Sequence, residues 1–364
     1  MKVLVVNTNL TDKNGVAGVI FNYLQAINKD NLQMDLVSIN YPDQLYIDIV
    51  ERNGGHLFVI ERSMGGILQY WFRLMKLISK ENYDIVHIHG NSHTVVLELS
   101  AAWAAGCNVR IVHSHNTKCE HNVVHRLMKP LFDFLVTHRL ACGEAAGKWM
   151  FDDKPFTVLN NGIDTKKFCF SQSLRDKIRQ QFGISDKCFV LGHVGYFYEV
   201  KNHRQIINVF EVLYHRNKNM RLILIGDGIL KEEMQCLLKE KRLSDVVILT
   251  GNIGNVDEFL NAMDAIIMPS LFEGLPLTLI EEQANGLPCV VSDNITREAD
   301  KTGNLCFLSL SEPLSVWADC IECLQDGKSR KERSIKAIQQ IKKNGYDIEE
   351  EAKVLKNIYR GTLC

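Results

Sequence analysis

The chain predicts an α/β protein built as two doubly wound parallel-sheet units in series. Three observations carry this. Short apolar runs alternate with helical patterns through the first half, which implies a parallel sheet covered on both faces. The alternation restarts just beyond residue 165. At 364 residues the chain also exceeds what a single core usually spans.

In order, Val3–Val6, Met34–Ile39, His56–Ile60, Ile85–His89, Val109–His113, Arg139–Ala141 and Thr157–Leu159 read as strands, being short apolar runs of the kind a buried parallel sheet uses. Helical patterns such as Val19–Ile27 and Ile67–Ser79 lie between them. Asn160-Asn161-Gly162 breaks the pattern, so a first unit of 1–163 and a second of 164–345 are expected. In the second unit Cys188–Val194, Arg221–Ile225, Val246–Leu249, Ala265–Met268 and Cys289–Val291 read as strands, with helices starting near Asn202, Leu230, Val256 and Pro276. The tail is helical, charged and broken at Asn344-Gly345, and its last stretch, about 346–364, is expected to cross back onto the first unit. Two such units place a cleft between them, where the carboxyl ends of both sets of strands face one ligand.

Hydrophobic residues make up 46% of the chain, charged residues 23%, and the formal net charge is −1, which speaks against a broad nucleic-acid surface. Val3–Val6 gives way at once to Asn7-Thr8-Asn9, too short a run for a secretory segment, and no apolar run reaches the ~18–20 residues that span a bilayer. A cytoplasmic protein is expected. The 11 cysteines are scattered through apolar settings and read as small buried hydrophobes. Cys320 and Cys323 match C-x-x-C inside a helical pattern, with no second pair nearby to make a metal site.

Chemistry concentrates at Met268–Glu281, a strand end joined to a helix start. Pro276 suits the first helical position, where its missing N–H costs nothing. Gly274 and Leu275 would then present backbone amides at the positive end of the helix, with Glu273 just outside it. Glu281 falls in the second turn, roughly 7–8 Å along the axis at ~1.5 Å per residue. Two carboxylates flanking an anion site suit a ligand with hydroxyls at both ends and phosphate between, the shape of a sugar nucleotide.

Other stretches admit two readings each. Asn14-Gly15-Val16-Ala17-Gly18 opens the first helix and is either a phosphate- or acceptor-facing loop or a plain turn; it lacks the G-x-G-x-x-G spacing, and Ser38-Ile39-Asn40 lacks the acid of a dinucleotide site. Ile225-Gly226-Asp227-Gly228 reads mainly as tight strand-to-helix packing. Lys201, in the loop that leads from a strand through Tyr196 and Asn202 into a helix, can neutralise a diphosphate or lie solvated. His87, His89, His113 and His115 stand on alternate positions at two strand ends. No zinc signature and no D-x-D pair accompany them, so no metal is expected. Lys118–Arg139 mixes basic and apolar residues around Pro130, as both interfacial and ordinary half-buried helices do.

Six stretches together, Asp84–Ser92, Val112–Thr117, Ala141–Glu144, Val158–Asp164, Leu224–Gly228 and Pro269–Pro276, resemble retaining glycosyltransferases of the GT-B fold, specifically family 4 enzymes of bacterial capsule and exopolysaccharide assembly. The E-x7-E pair is the most specific element. The resemblance covers nearly the whole chain. It implies two Rossmann-like domains, an acceptor domain and a donor domain. It also implies transfer of a hexosyl unit from a nucleotide-diphosphate sugar to a lipid-linked or saccharide acceptor without metal or cofactor. The basic and apolar mix of 118–139, for its part, makes peripheral membrane contact at the inner face of the plasma membrane an expectation beside that of an ordinary half-buried helix. By the same resemblance Glu273 contacts the donor sugar, Gly274 and Leu275 the sugar or phosphate, Glu281 the ribose, Lys201 the diphosphate and His115 the donor sugar, with Gly15 against the phosphates and the acceptor. Tyr196 and Asn202 fall in the donor loop, and the Thr250–Ile253 loop meets the base. Tyr196 stands where many relatives carry an arginine. A compensating cation such as Arg204, weaker leaving-group stabilisation, or a catalytically silent subunit that binds a nucleotide sugar or a partner transferase would each fit.

Overall fold

The computed structural model describes residues 1–8, 15–27, 32–42, 44–62, 66–119, 122–324 and 329–361; Asn14, singled out above, and residues 120–121 of the 118–139 stretch lie outside them. Two compact units are present, one formed by Met1–Gly162 together with the chain from Gly345 on, the other by Ile163–Asn344. No helix among the described residues is long and apolar enough to cross a membrane.

The first unit runs β1 (Lys2–Asn7), α1 (Gly15–Ile27), β2 (Gln33–Ser38), α2 (Gln44–Arg52), β3 (Leu57–Val59), α3 (Ile67–Glu81), β4 (Ile85–His89), α4 (Val96–Ala104), β5 (Val109–Ser114), α5 (Asn122–Leu135), β6 (His138–Ala141), α6 (Glu144–Phe151) and β7 (Thr157–Val158). The second runs α7 (Gln172–Gln181), β8 (Phe189–Val194), α8 (His203–Arg216), β9 (Met220–Ile225), α9 (Lys231–Glu240), β10 (Val247–Gly251), α10 (Val256–Ala262), β11 (Ala265–Met268), α11 (Leu277–Ala284), β12 (Cys289–Ser292), β13 (Leu305–Leu308), α12 (Leu314–Cys323) and α13 (Arg330–Lys343). The closing helix α14 (Ile348–Tyr359) belongs to the first unit.

Both sheets are parallel, in the orders β3-β2-β1-β4-β5-β6-β7 and β10-β9-β8-β11-β12-β13. Strand order reverses between β1 and β4 in one sheet and between β8 and β11 in the other. In an open α/β sheet the loops at the carboxyl ends of such a strand pair diverge to opposite faces and leave a crevice for a ligand. Central strands are apolar on both faces because helices cover both: Leu4, Val6, Ile88 and Val112 anchor one core with Leu74, Leu99 and Phe132. Leu191, Leu222, Ile267 and Val290 anchor the other with Phe210, Leu213 and Trp317.

Three elements depart from the sequence expectation. Strand β13, which the sequence reading does not include, pairs with β12 at the edge of the sheet, where its Leu-Cys-Phe-Leu is only half-buried. Helix α7 carries almost no apolar face; Ser171 Oγ caps it by accepting the Leu174 N–H, and its arginines fasten it to the sheet. Helix α5 runs unbroken through Pro130. Loss of one backbone bond there is outweighed by burial of His125, Phe132 and Leu135 on one face.

Helix α14 is held by apolar burial of Ile348, Ala352, Leu355 and Ile358. Asn160 donates its N–H to Glu351 Oε2 at 2.9 Å, and a Cβ at Gly162 would fall 2.8 Å from the Ile348 Cα, so the residue there must be glycine.

Asp264, at the foot of β11, is the polar hub of the second unit. It accepts from Arg175 at 2.6 Å, from buried Arg179 at 2.7 Å and from the Val190 N–H at 2.8 Å. Replacing it by alanine leaves two guanidinium groups without their carboxylate. Breaking a buried pair on one side costs about 3 kcal/mol or more, so Asp264→Ala is expected to lower the urea midpoint of the second unit by that equivalent. An unchanged midpoint would refute the hub.

Candidate functional site

The loops that follow β8 and β11 meet at the switch point of the second sheet. Gly195–Asn202 follows β8, and a short 3-10 turn at Glu199–Lys201 brings Lys201 round to face the β11 loop. Lys201 Nζ donates to Glu273 Oε1 at 2.5 Å, and both side chains are mostly buried. Two further bonds clasp the loops: the Leu271 N–H donates to Val200 O at 2.8 Å, and Asn202 Nδ2 donates to Pro269 O at 3.2 Å. Asn202 holds the left-handed backbone (φ 54, ψ 47), which asparagine tolerates better than most residues. Its side chain thus serves to position the loops.

Glycines in the neighbouring loop make this arrangement possible. A Cβ on Gly226 would lie 2.1 Å from Gly195 O, and Gly226 sits at φ 139; a Cβ on Gly228 would lie 2.7 Å from Phe197 O. The Ile225–Gly228 stretch is indeed a packing device, but it packs against the Lys201 loop rather than only between strand and helix. A Cβ on Gly195 would crowd His193 Nε2 at 2.9 Å and the Lys201 stem at 3.3 Å.

Helix α11 begins at Leu277, one residue later than expected. Pro276 is the residue before it, still extended at ψ 119, so the positive end of the helix lies at Leu277 and Thr278. Gly274 is exposed, with nothing within 4 Å of where a side chain would start, and Leu275 is half-buried. Glu281 lies on the second turn, half-buried, its pKa pushed up to about 7 by burial, against which Lys167 pulls it down. Ile253 is half-buried in the loop between β10 and α10. Tyr196 is half-buried, its ring 6.3 Å from that of Tyr198. Arg204, the alternative cation, is exposed and ion-paired with Glu233, and Lys231 is paired with Asp227 at 2.9 Å. Neither supplies an uncommitted charge in place of the missing arginine.

Glu282 was not anticipated. It is fully buried with both carboxylate oxygens lacking a hydrogen-bond partner, and burial, followed by the nearby Glu281 charge, raises its pKa well above the ordinary range. A carboxylic acid so placed is held neutral. Its only sequence signal is adjacency to Glu281, which does not distinguish a core position from a ligand one.

In the first unit the histidines at the ends of β4 and β5 form one stack. His87, His89 and His113 are buried, and rings of His89 and His115 lie 5.0 Å apart. His89 Nδ1 and His115 Nε2 share a hydrogen bond at 2.8 Å; His87 Nδ1 bonds Tyr359 Oη at 2.7 Å, tying the site to α14. The His115 N–H donates to Asn91 Oδ1 at 3.0 Å. Burial lowers the pKa of His87 to about 3 and of His115 to about 4, so these rings are neutral. His113 lies at the fully buried end with neither ring nitrogen bonded, whereas His115 is partly exposed past the strand. One nitrogen each from His87, His89 and His113 lies within 4.8 Å of the others, the one grouping among the described residues that could hold a metal. Gly15 opens α1, exposed, with open space around its Cα.

Two family descriptions match the chain: glycosyltransferase family 4 over residues 13–167 and glycosyl transferases group 1 over residues 175–300. The putative glycosyltransferase EpsF of Bacillus subtilis is 33% identical over 364 residues, 96% of this chain and 94% of that protein. A UDP-Gal:α-D-GlcNAc-diphosphoundecaprenol α-1,3-galactosyltransferase of Escherichia coli is 31% identical over 235 residues, 60% of each. Among solved structures, Anabaena Alr3699/HepE in complex with UDP-glucose superposes with a TM-score of 0.78 at 18% identity, over 99% of this chain and 100% of that one.

The glycine contacts give a paired test. Gly226→Ala adds a clash and a disfavoured backbone angle, a cost of about 2 kcal/mol or more that should lower the Tm of the second unit by about 4 °C or more. Gly274→Ala, at an open position, should leave Tm within a degree or so. Equal effects in differential scanning calorimetry would contradict the packing role.

Proposed function

The chain belongs to the family 4 glycosyltransferases of GT-B fold, and we propose that it moves a hexosyl unit from a nucleotide-diphosphate sugar to a lipid-linked or saccharide acceptor, with retention at the anomeric carbon and no metal at the diphosphate. The observation that carries this reading is the Lys201–Glu273 pair at the β8/β11 switch point, a cation and a carboxylate 2.5 Å apart in a crevice made for a ligand. An incoming diphosphate takes over Lys201 as a point charge. Glu273, released from Lys201, accepts hydrogen bonds from sugar hydroxyls. Glu281 holds the ribose, the Ile253 loop the base, and the backbone of Gly274 and Leu275 the sugar or phosphate. On the first unit His115 is assigned to the donor sugar and the start of α1 at Gly15 to the phosphates and the acceptor.

In the reaction the bond from the anomeric carbon to the diphosphate oxygen breaks and a bond to the acceptor oxygen forms on the same face. The acceptor proton leaves with the nucleoside diphosphate. Charge builds on that leaving group, so fixed donors and Lys201 lower the barrier. With tyrosine at 196 the site supplies a neutral donor where a cation would bind about twice as strongly. The relative that acts on a diphosphoundecaprenol-linked sugar supports the lipid-linked class of acceptor.

The direct test incubates the purified protein with a panel of nucleotide sugars and lipid acceptors. Transfer with at least one donor is expected, and Glu273→Ala should cut it by about 100-fold or more. Absence of transfer and of donor hydrolysis with every sugar would overturn the assignment.

Glu281 adds a pH dependence. Its folded-state pKa of about 7 lies above the ordinary carboxylate value, so the neutral acid favours the folded, empty protein at low pH, and that contribution is lost as pH rises through about 7. Ribose hydroxyls donate to the ionised form. Donor affinity should therefore rise between pH 6 and 8, and Glu281→Gln should flatten the profile; a wild-type profile that is already flat would remove Glu281 from the ribose.

Peripheral docking at the inner face of the plasma membrane is proposed through α5, whose Val123, Leu127, Leu131 and Phe134 are all exposed at successive helical turns. Trp103 of α4 adds to that surface, its ring 6.5 Å from Phe134. Leu127→Glu with Phe134→Glu should reduce co-sedimentation with anionic vesicles by about tenfold while leaving Tm unchanged. Undiminished binding would place the contact elsewhere.

A further inference from the structure

Helices α5 and α6 border a cavity of about 630 Å³ in the first unit, separate from the histidine stack at the ends of β4 and β5. Its charge is lopsided. Lys118, Arg126, Lys129 and Lys148 line it against one carboxylate, Asp152. Lys129 is committed, 3.1 Å from both Asp133 and Asp152, whereas Arg126 and Lys148 form no ion pair among the described residues.

The floor of the cavity adds a donor. His93 is 2% exposed, its Nδ1 2.7 Å from His125 O and its Nε2 2.8 Å from Met150 O. Each ring nitrogen of His93 thus faces a backbone carbonyl, so this side chain positions the wall between α5 and α6. His125 stacks on His93 with ring centroids 3.9 Å apart and accepts the His93 backbone N–H on Nδ1 at 3.2 Å. Burial, with the neighbouring His93 next, lowers its pKa to about 4, so the ring is neutral and its one proton sits on Nε2 as a donor. Trp149 stacks on its other side at 4.9 Å and closes the wall. Two uncommitted surface cations and a neutral donor around one hole suit an anion with several acceptor oxygens.

Helix α5 also tells what that anion is attached to. Arg126 and His125 face the cavity, while Val123, Leu127, Leu131 and Phe134 on the same helix are 72%, 69%, 47% and 71% exposed. An amphiphile with a phosphate head and a hydrocarbon tail matches both faces. We infer that this cavity binds the phosphate or diphosphate of a lipid-linked acceptor, whose tail lies along the apolar face of α5. The inference rests on the reading of the protein as a transferase to lipid-linked acceptors, and it assigns Arg126, Lys148 and His125 to acceptor binding, with His93 positioning His125.

The test titrates the full chain with farnesyl diphosphate, inorganic pyrophosphate and farnesol by calorimetry. Farnesyl diphosphate should bind, pyrophosphate at least tenfold more weakly, and farnesol not measurably. Arg126→Gln with Lys148→Gln, both away from the packed core, should weaken farnesyl diphosphate at least tenfold while leaving Tm and nucleoside-diphosphate affinity unchanged. Lys201→Met should leave farnesyl diphosphate binding intact, which separates this cavity from the donor site. In turnover the double variant should raise KM for the lipid acceptor at least tenfold with the donor KM unmoved. Farnesyl diphosphate binding that the double variant does not weaken overturns the inference. So does binding only to anionic phospholipid vesicles that farnesyl diphosphate fails to displace, since the cavity then serves membrane headgroups. Tight, variant-sensitive binding in a protein that transfers no sugar would sustain the cavity and sink the proposed reaction instead.

Discussion

A single ion pair, Lys201 with Glu273, fixes how the second unit presents itself to a ligand. Without a ligand the two charges satisfy each other at 2.5 Å. Everything that brings them together is backbone architecture: strand order reversing between β8 and β11, the left-handed turn at Asn202, and the bonds from Leu271 and Asn202 that clasp one loop to the other. On the proposed reading, a diphosphate that enters competes with Glu273 for the lysine. That competition sets a cost on nucleotide binding, which the sugar, by engaging Glu273, offsets.

Around this pair the protein places groups that are held neutral. Glu282 is buried without partners, and His203 has a lowered pKa because burial disfavours its charged form. Neutral surroundings leave Lys201 the dominant charge near the proposed diphosphate. They also make the absence of an arginine at Tyr196 consequential, since Arg204 and Lys231 are each tied to a carboxylate. The first unit reverses that pattern between α5 and α6, where Lys118, Arg126, Lys129 and Lys148 gather at one cavity.

Much of this was legible in the sequence, for physical reasons that differ by element. Apolar strands such as β9 and β11 were read to within a residue because a parallel strand buried on both faces has no polar alternation to confuse it. Strand β13 and helix α7 were missed: one is a half-buried edge strand, and the other is held by arginines and a cap instead of an apolar stripe. Lys201, Glu273 and the Gly274 loop could be placed at one sheet edge from the strand pattern alone. What could not be read was which atoms pair. The Asn202 side chain proved to be a clasp, Pro276 preceded the helix rather than starting it, and the glycines of Gly226-Asp227-Gly228 packed on a loop distant in sequence. The tautomer of His125 likewise depends on the His93 backbone N–H that folding brings to its Nδ1.

The central claim is that Lys201 is the diphosphate cation and that Glu273 competes for it. Isothermal titration of a nucleoside diphosphate into the wild type, Lys201→Met and Glu273→Gln tests this most directly. A charge-assisted bond contributes roughly 1.5–3 kcal/mol, so Lys201→Met should weaken binding by at least about tenfold. Glu273→Gln, which removes the competitor, should leave the affinity unchanged or raise it. Equal affinity of Lys201→Met and wild type, or a loss in Glu273→Gln as large as that in Lys201→Met, would contradict the account.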